Sequence, residues 1–374
     1  MANIIQYIAK PSPKQTEIIS DLLKRIQSGE LSPGAELPSV ADLSVRYKAS
    51  TTTVQRAMVR LRGNGYLQTS KRGSCIVDNP PHLSNFGLVR PFMPFRSQFI
   101  VALENEGQRL AETGISPSGT RRRFTVFDEI DCPAGKEERY HRDLVAAVES
   151  ETVAGLFFCR PPHRFVGTAI LRNPHVPCVT LADEPVEGVA RLQLPGFHAR
   201  AFDLLVARGR RRVAIMTITG RSDAFLQDVR DMAAARGVTT HPWWIQGVYP
   251  ADLRWAGNCA QMLIHSGPER PDALIIDDDN LVPAATAGIA ATGLHVPDDL
   301  DVVAHANFPW TTPSAVPAIR FGTNVRLLIR TAVDIIERKR SGEEAPVAVL
   351  MPACSEDEAT QVGDEATQLG LDSQ

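Results

Sequence analysis

Residues 39–77 read SVADLSVRYKASTTTVQRAMVRLRGNGYLQTSKRGSCIV, and their punctuation decides the fold of the front of the chain. Ser39 followed by Asp42 has capping-box spacing and opens a helix carrying Val40, Leu43 and Tyr47. Lys48, Ala49 and Ser50 make a short turn. Ser50 or Thr51 caps a further helix whose apolar stripe is Val54, Ala57, Met58 and Leu61. Gly63, Asn64 and Gly65 end it. Two short β runs follow, at 66–69 and 74–77, around the basic turn Ser70-Lys71-Arg72-Gly73. Upstream, Ile18, Ile19, Leu22, Leu23 and Ile26 recur at three- and four-residue spacing, which predicts a helix over 14–28 that stops at the turn residues 29–34.

Two helices joined by a tight turn, then a basic hairpin, describe a winged helix-turn-helix. The recognition helix leaves Thr51, Thr52, Thr53, Gln55 and Arg56 off its apolar stripe. Its N-terminal N–H groups suit phosphate, and its hydroxyls and Gln55 suit base edges. Ser39 at the start of the preceding helix joins this DNA-facing set. The wing tip, Lys71, Arg72 and Gly73, suits the backbone or minor groove, with Gly73 permitting close approach. Residues 1–78 carry 11 Lys/Arg against 6 Asp/Glu, and the remainder carries 29 against 37. The polyanion partner implied by that asymmetry therefore belongs to the front module alone.

The run from Ile26 to Val77 resembles the DNA-binding domain of the GntR family. That family shows I-x-x-G-x-L-x-P-G-x-x-L-P-S, then T-V-x-x-A-x-x-x-L-x-x-x-G, then a Gly-bearing wing. Two departures matter. Thr51 stands where the family often has Arg before the recognition-helix Thr, and Ala41 stands where it often has Arg in the preceding helix. Base readout then falls to Thr51, Thr52, Thr53, Gln55 and Arg56.

Behind a short linker at 80–84 the texture changes. Apolar runs at 86–90, 124–128, 153–159, 176–181, 213–218, 243–248, 272–277 and 301–305 alternate with helical patterns at 97–113, 137–150, 196–209, 223–236, 252–265, 281–292 and 325–340. That alternation predicts an α/β fold with mostly parallel, doubly wound sheets. Residues 85–352 are long enough for two such lobes, and ligands in these folds sit beyond the carboxyl ends of the strands.

This stretch resembles the two-lobed sensor domain of LacI-type repressors, itself similar to periplasmic binding proteins. Three runs carry the likeness: VRPFMPFRSQFIVALENEGQRL, HARAFDLLVARGRRRVAIMTI and PDALIIDDDNLVPAATAGIAATGLHVPDDLDVVAHAN. A GntR-type reader joined to this sensor resembles the arabinose-repressor branch of the GntR family. The resemblance puts Asp279 on the family's ligand-binding Asp, with Asp278 where Asn is usual. Phe225 falls where the family has Arg, Ala306-Asn307 where it has Asp-Asp, and Ala182-Asp183 on an Asp/Arg pair. The expected effector-binding set is Arg90, Phe95, Asp128, Asp183, Arg221, Asp279 and Asn307. Asp279 is expected to point into the cleft, with a helix N-cap as its competing role.

Other chemistries lack support. Asp277, Asp278 and Asp279 lie in a row at a strand end, where successive side chains diverge rather than converge on one ion. There is no G-x-S-x-G, no H-E-x-x-H and no Gly-rich phosphate loop. No catalytic residue, metal or cofactor is therefore expected, and the protein is read as no enzyme. The six cysteines have no C-x-x-C spacing and read as reduced packing residues. Neither a signal peptide nor an apolar span appears, so a cytoplasmic chain with no membrane partner is expected. The polar, acidic segment 353–374 reads as a disordered tail. The domains are thus 1–79, 80–84, 85–352 and 353–374. The expected function is a dimeric, operator-binding transcription regulator, a repressor, controlled by a sugar or related metabolite. The alternative is a carbohydrate-binding receptor without DNA binding.

Overall fold

A computed structural model describes residues 11–70, 73–113, 121–265 and 269–361. The front module contains α1 (Pro13–Gln27), α2 (Val40–Tyr47), α3 (Thr51–Gly63), β1 (Leu67–Ser70) and β2 (Gly73–Ile76). Ser12 caps α1 in a full capping box, and Ser39 does the same for α2. Each box satisfies N–H groups that a helix start leaves unpaired. Their apolar stripes meet in one core built on Ile18, Leu22, Leu43, Val54, Leu61 and Tyr66, all fully buried. Strands β1 and β2 pair antiparallel, Leu67 opposite Ile76. The linker expected at 80–84 is instead ordered: α4 (Pro81–Ser84) is a helical turn with Pro80, Pro81 and His82 buried.

The rear module continues with β3 (Asn85–Pro91), α5 (Gln98–Thr113), β4 (Arg123–Glu129), α6 (Glu137–Tyr140), α7 (Arg142–Glu149), β5 (Gly155–Phe158), α8 (Ala169–Arg172), β6 (Cys178–Leu181) and β7 (Ala190–Gln193). The chain then forms α9 (Phe197–Ala207), β8 (Val213–Ile218), α10 (Asp223–Ala234), β9 (Ile245–Val248), α11 (Arg254–Ile264), β10 (Ala273–Ile276), α12 (Val282–Ala290), β11 (Asp301–Phe308) and β12 (Ile319–Asn324). It ends in α13 (Val325–Ser341), β13 (Ala348–Leu350) and β14 (Cys354–Ser355).

Two six-stranded sheets result. The first has the order β13-β7-β6-β5-β3-β4 and the second β14-β12-β11-β10-β8-β9. Every pairing in both is parallel except β12 with β14. Each sheet buries apolar residues on both faces, as a doubly wound sheet must. The chain crosses between lobes three times: from β7 to α9, from β12 to α13, and from β13 to β14. These crossings place the carboxyl ends of both sheets toward a shared cleft.

The last crossing corrects the expected tail. Residues 353–361 are folded rather than disordered: β14 pairs with β12, and Arg200 grips Glu358 through two hydrogen bonds of 2.9 Å. Asn324 Nδ2 also donates to the Ala359 carbonyl at 3.2 Å. These polar residues order because a sheet edge and an arginine receive them, which composition alone does not reveal. Residues beyond 361 lie outside the described set.

Candidate nucleic-acid interface and effector cleft

Helix α3 is capped by Ser50, whose side chain accepts from the Thr53 N–H at 3.1 Å. Burial of Val54, Ala57, Met58 and Leu61 turns the opposite face outward. Thr51, Thr52, Gln55 and Arg56 are exposed there, and Thr53 is half-buried. Thr53 Oγ1 pairs with Ser50 Oγ at 2.8 Å, so it supports the cap as well as the surface. Ser39 is likewise engaged in its own cap, with Oγ 2.7 Å from the Asp42 carboxylate. Gly73 opens β2 at φ 136°, a conformation glycine adopts easily. Arg62 Nη2 donates to Ser74 Oγ at 3.0 Å and ties the end of the recognition helix to the wing strand. Lys71 and Arg72 lie outside the described residues.

In the first lobe, Arg90 at the end of β3 bonds Asp128 through Nε at 2.7 Å and pairs with Glu104 through Nη1. Its pKa is raised, first by the Asp128 hydrogen bond. Beside this pair is a cavity of about 360 Å³ lined by Phe92, Phe95, Arg96 and Ser97. Arg90, Phe95 and Asp128 are thus brought together. Asp183 is exposed at a separate place, where its carbonyl accepts from Arg191 and Gln193. Glu129, almost fully buried, is held by Arg160 at 2.8 Å and Arg164 at 3.0 Å.

In the second lobe, Arg221 donates to Thr217 Oγ1 at 3.2 Å and lies over the Phe225 ring at 4.8 Å. Asp279 and Asn307 meet, but not in the way expected. Asp279 is 2% exposed and accepts from Asn307 Nδ2. It neither faces open cleft nor caps α12, which has no side-chain cap. Burial and the Asp278 charge push its carboxyl group up to about 7. Its role is to tie the β10–α12 loop to β11.

Contacts that the sequence does not show connect the lobes. Asp278 accepts from the Asn280 backbone at 3.0 Å and from Nδ2 at 2.7 Å. Asn280 is thereby turned so that its oxygen accepts from the Gln98 N–H across the cleft at 2.9 Å. Trp310 Nε1 donates to buried Glu106 at 3.0 Å, again across the lobes. A polar residue at a strand end is visible in sequence; its partner about 180 residues away is not. Among the described residues no group of His, Cys, Asp or Glu is placed to hold a metal ion, and no helix is long and apolar enough to cross a membrane.

Comparison with known proteins matches two separate stretches of the chain. Residues 14–77 match the bacterial regulatory proteins of the gntR family, and residues 202–371 match the periplasmic binding protein-like domain. The arabinose metabolism transcriptional repressor of Geobacillus stearothermophilus is 21% identical over 332 residues, covering 82% of this chain and 85% of the relative. A regulatory protein of the LacI family from Chloroflexus aggregans superposes with a TM-score of 0.54 at 16% identity, over 72% of this chain and 96% of that one. A LacI family transcriptional regulator from Lactobacillus casei with bound sucrose gives 0.53 at 18% identity, over 73% and 98%. The chain is a DNA-binding transcription regulator that joins a gntR-family winged helix-turn-helix to a periplasmic-binding-protein-like domain with the fold of LacI family regulators.

Proposed function

We propose that this regulator is a homodimeric, cytoplasmic repressor, without enzymatic activity, whose operator affinity is set by a sugar-type effector held between the two lobes. The exposed polar face of α3, opposite a fully buried apolar stripe, carries the operator-binding part of this reading. Thr51, Thr52, Gln55 and Arg56 would read base edges, while the Lys71–Gly73 turn would track the backbone. Arg90, Phe95, Asp128 and Arg221 would surround the effector, with Asp279 bracing the wall behind it. The names of the relatives, one concerned with arabinose metabolism and one holding sucrose, favour a sugar.

Dimerisation is supported by an apolar face on the second lobe. Trp243, Tyr249, Trp255 and Met262 are all more than half exposed beside β9 and α11, around a cavity of about 680 Å³. Patches of this kind on a soluble protein mark interfaces, and two copies would present two readers to a two-fold operator. The six free cysteines suit a reducing compartment.

The test is a gel shift on DNA upstream of the gene, with and without arabinose, glucose or sucrose. Retarded DNA that one sugar releases is the expected result. A chain that binds a sugar and leaves that DNA unshifted would instead be a receptor.

A further inference from the structure

At the carboxyl ends of β8, β10 and β11, a polar cluster is sealed into the second lobe. Asp277 follows the last residue of β10 and is 7% exposed. One of its oxygens accepts from His198 Nε2 at 3.1 Å. His198 stands in the first turn of α9, two residues beyond Gly196 on the crossing from the first lobe. His305 projects from β11 to the same place. The Phe197 ring lies edge-on to both imidazoles, with centroids 5.2 Å away in each case.

Asp277 Oδ1 is sealed from solvent and has no hydrogen-bond partner among the described residues. The same holds for His305 Nδ1 and for Asn307 Oδ1, two residues further along the same strand. A buried acceptor left unpaired is destabilising, and folded proteins keep few of them. Three lie close along the ends of β10 and β11, two of them oxygens that only accept, so each needs a donor that no described residue supplies. Burial holds the His305 pKa down to about 4, so near neutrality this imidazole is uncharged. The cluster also lies beneath the seam between the lobes, since Asn280, three residues past Asp277, reaches Gln98 of the other lobe.

We propose that His198, Asp277 and His305 form the specificity-determining floor of the effector site, and that this floor takes a neutral ligand donating hydrogen bonds through adjacent hydroxyls. The inference rests on the sensor reading given above and adds to it the residues that choose the ligand. Asp277 Oδ1 accepts from one hydroxyl, and His305 Nδ1 or Asn307 Oδ1 pairs with its neighbour. A ligand carboxylate would add a negative charge beside Asp277, Asp278 and Asp279, so an aldonic acid is rejected where the parent aldose is held.

The test uses the full chain and calorimetric titration with arabinose, ribose, glucose and sucrose, each beside arabonate or gluconate. The wild type is expected to bind at least one neutral sugar and to bind its acid more weakly. Asp277→Asn retains an oxygen for His198 but loses the charged acceptor, and should weaken that sugar roughly 10- to 100-fold. His305→Phe should weaken it as well, and provides a second reading if either variant fails to fold, as judged by circular dichroism. Unchanged sugar affinity in a folded variant overturns the floor and leaves the sensor reading intact. Preference of the wild type for the acids does the same. A wild type that binds neither sugars nor acids overturns both.

Discussion

Asp279 sits between the Asp278 carboxylate and the Asn307 amide, and its carboxyl group titrates at about 7, first because it is buried and then because Asp278 is charged. Its folded pKa is above its unfolded value near 3.9. The folded state therefore holds the extra proton between about pH 4 and pH 7, and stability falls as pH rises through that window. Asp279→Asn keeps an oxygen for Asn307 and carries no charge. The variant should melt higher than wild type at pH 8, on the order of a few kcal/mol at most, with the gain vanishing towards pH 4. Parallel melting curves at both pH values would refute the assignment. On the DNA side, Gln55→Ala or Arg56→Ala should relax base preference at one operator position by about 1–3 kcal/mol. Binding-site selection on the variants reads this directly, and unchanged preferences would remove both residues from base contact. The exposed residues of α3 were legible because an amphipathic helix declares its outer face. Asp277, His198 and His305 were not, because their meeting depends on a helix and two strands far apart in the chain.

Helices α11 and α12 pack at a point where neither has a side chain. A Cβ on Gly288 would lie 2.3 Å from the Gly257 carbonyl oxygen, and one on Gly257 would meet the Ala284 oxygen at 3.0 Å. Backbone cannot give way as a flexible side chain can. Gly288→Ala should therefore cost about 1–3 kcal/mol, and Gly257→Ala less. Thermal unfolding gives the order, and equal losses would contradict it. Element boundaries were recovered where periodicity is long, as in α13, expected at 325–340 and found as Val325–Ser341. The helix expected over 137–150 is instead broken at His141. There the imidazole accepts from the Ile130 N–H at 3.1 Å and packs edge-on to Phe165, contacts that a helical period cannot announce. Strands β7, β12, β13 and β14 escaped notice because they are short or carry polar residues such as Arg191, Gln193 and Arg320. Their pairing comes from neighbours already in the sheets.

The two modules touch through a small, specific contact. Tyr66, fully buried at the end of the reader's core, donates its hydroxyl to the Glu151 carbonyl at 2.5 Å and stacks on His82 at 5.4 Å between centroids. Glu151 adopts φ 51°, rare for a residue with a side chain, and its carboxylate also meets Gln27 of α1. Arg340, in the last turn of α13, lies largely buried near Tyr66 and Glu151. Arg326, in the first turn of that helix, pairs with Glu106, which Trp310 reaches from the other lobe. One helix about 21 Å long between these arginines thus runs from the interlobe contact to the reader. Tyr66→Phe should loosen the docked reader by about 1 kcal/mol, seen as faster hydrogen exchange at residues 77–84. Unaltered exchange there would mean that the hydroxyl bond is not holding the modules together. Burial lowers the His82 pKa to about 3. The docked state therefore binds fewer protons than a free imidazole, and docking weakens as pH falls below about 6.5.

Sequence alone determined the two-module plan, the exposed face of the reader and the α/β alternation behind it. Those features follow from local rules, in which caps, apolar stripes and strand runs state their own periodicity. Only the tertiary structure decided that Asp279 braces a loop rather than facing the cleft, that Asn280 reaches the opposite lobe and that residues 353–361 fold onto the second sheet. Each of these depends on which distant group supplies the missing donor, acceptor or strand edge. Three crossings between lobes, not nearness along the chain, bring those groups together.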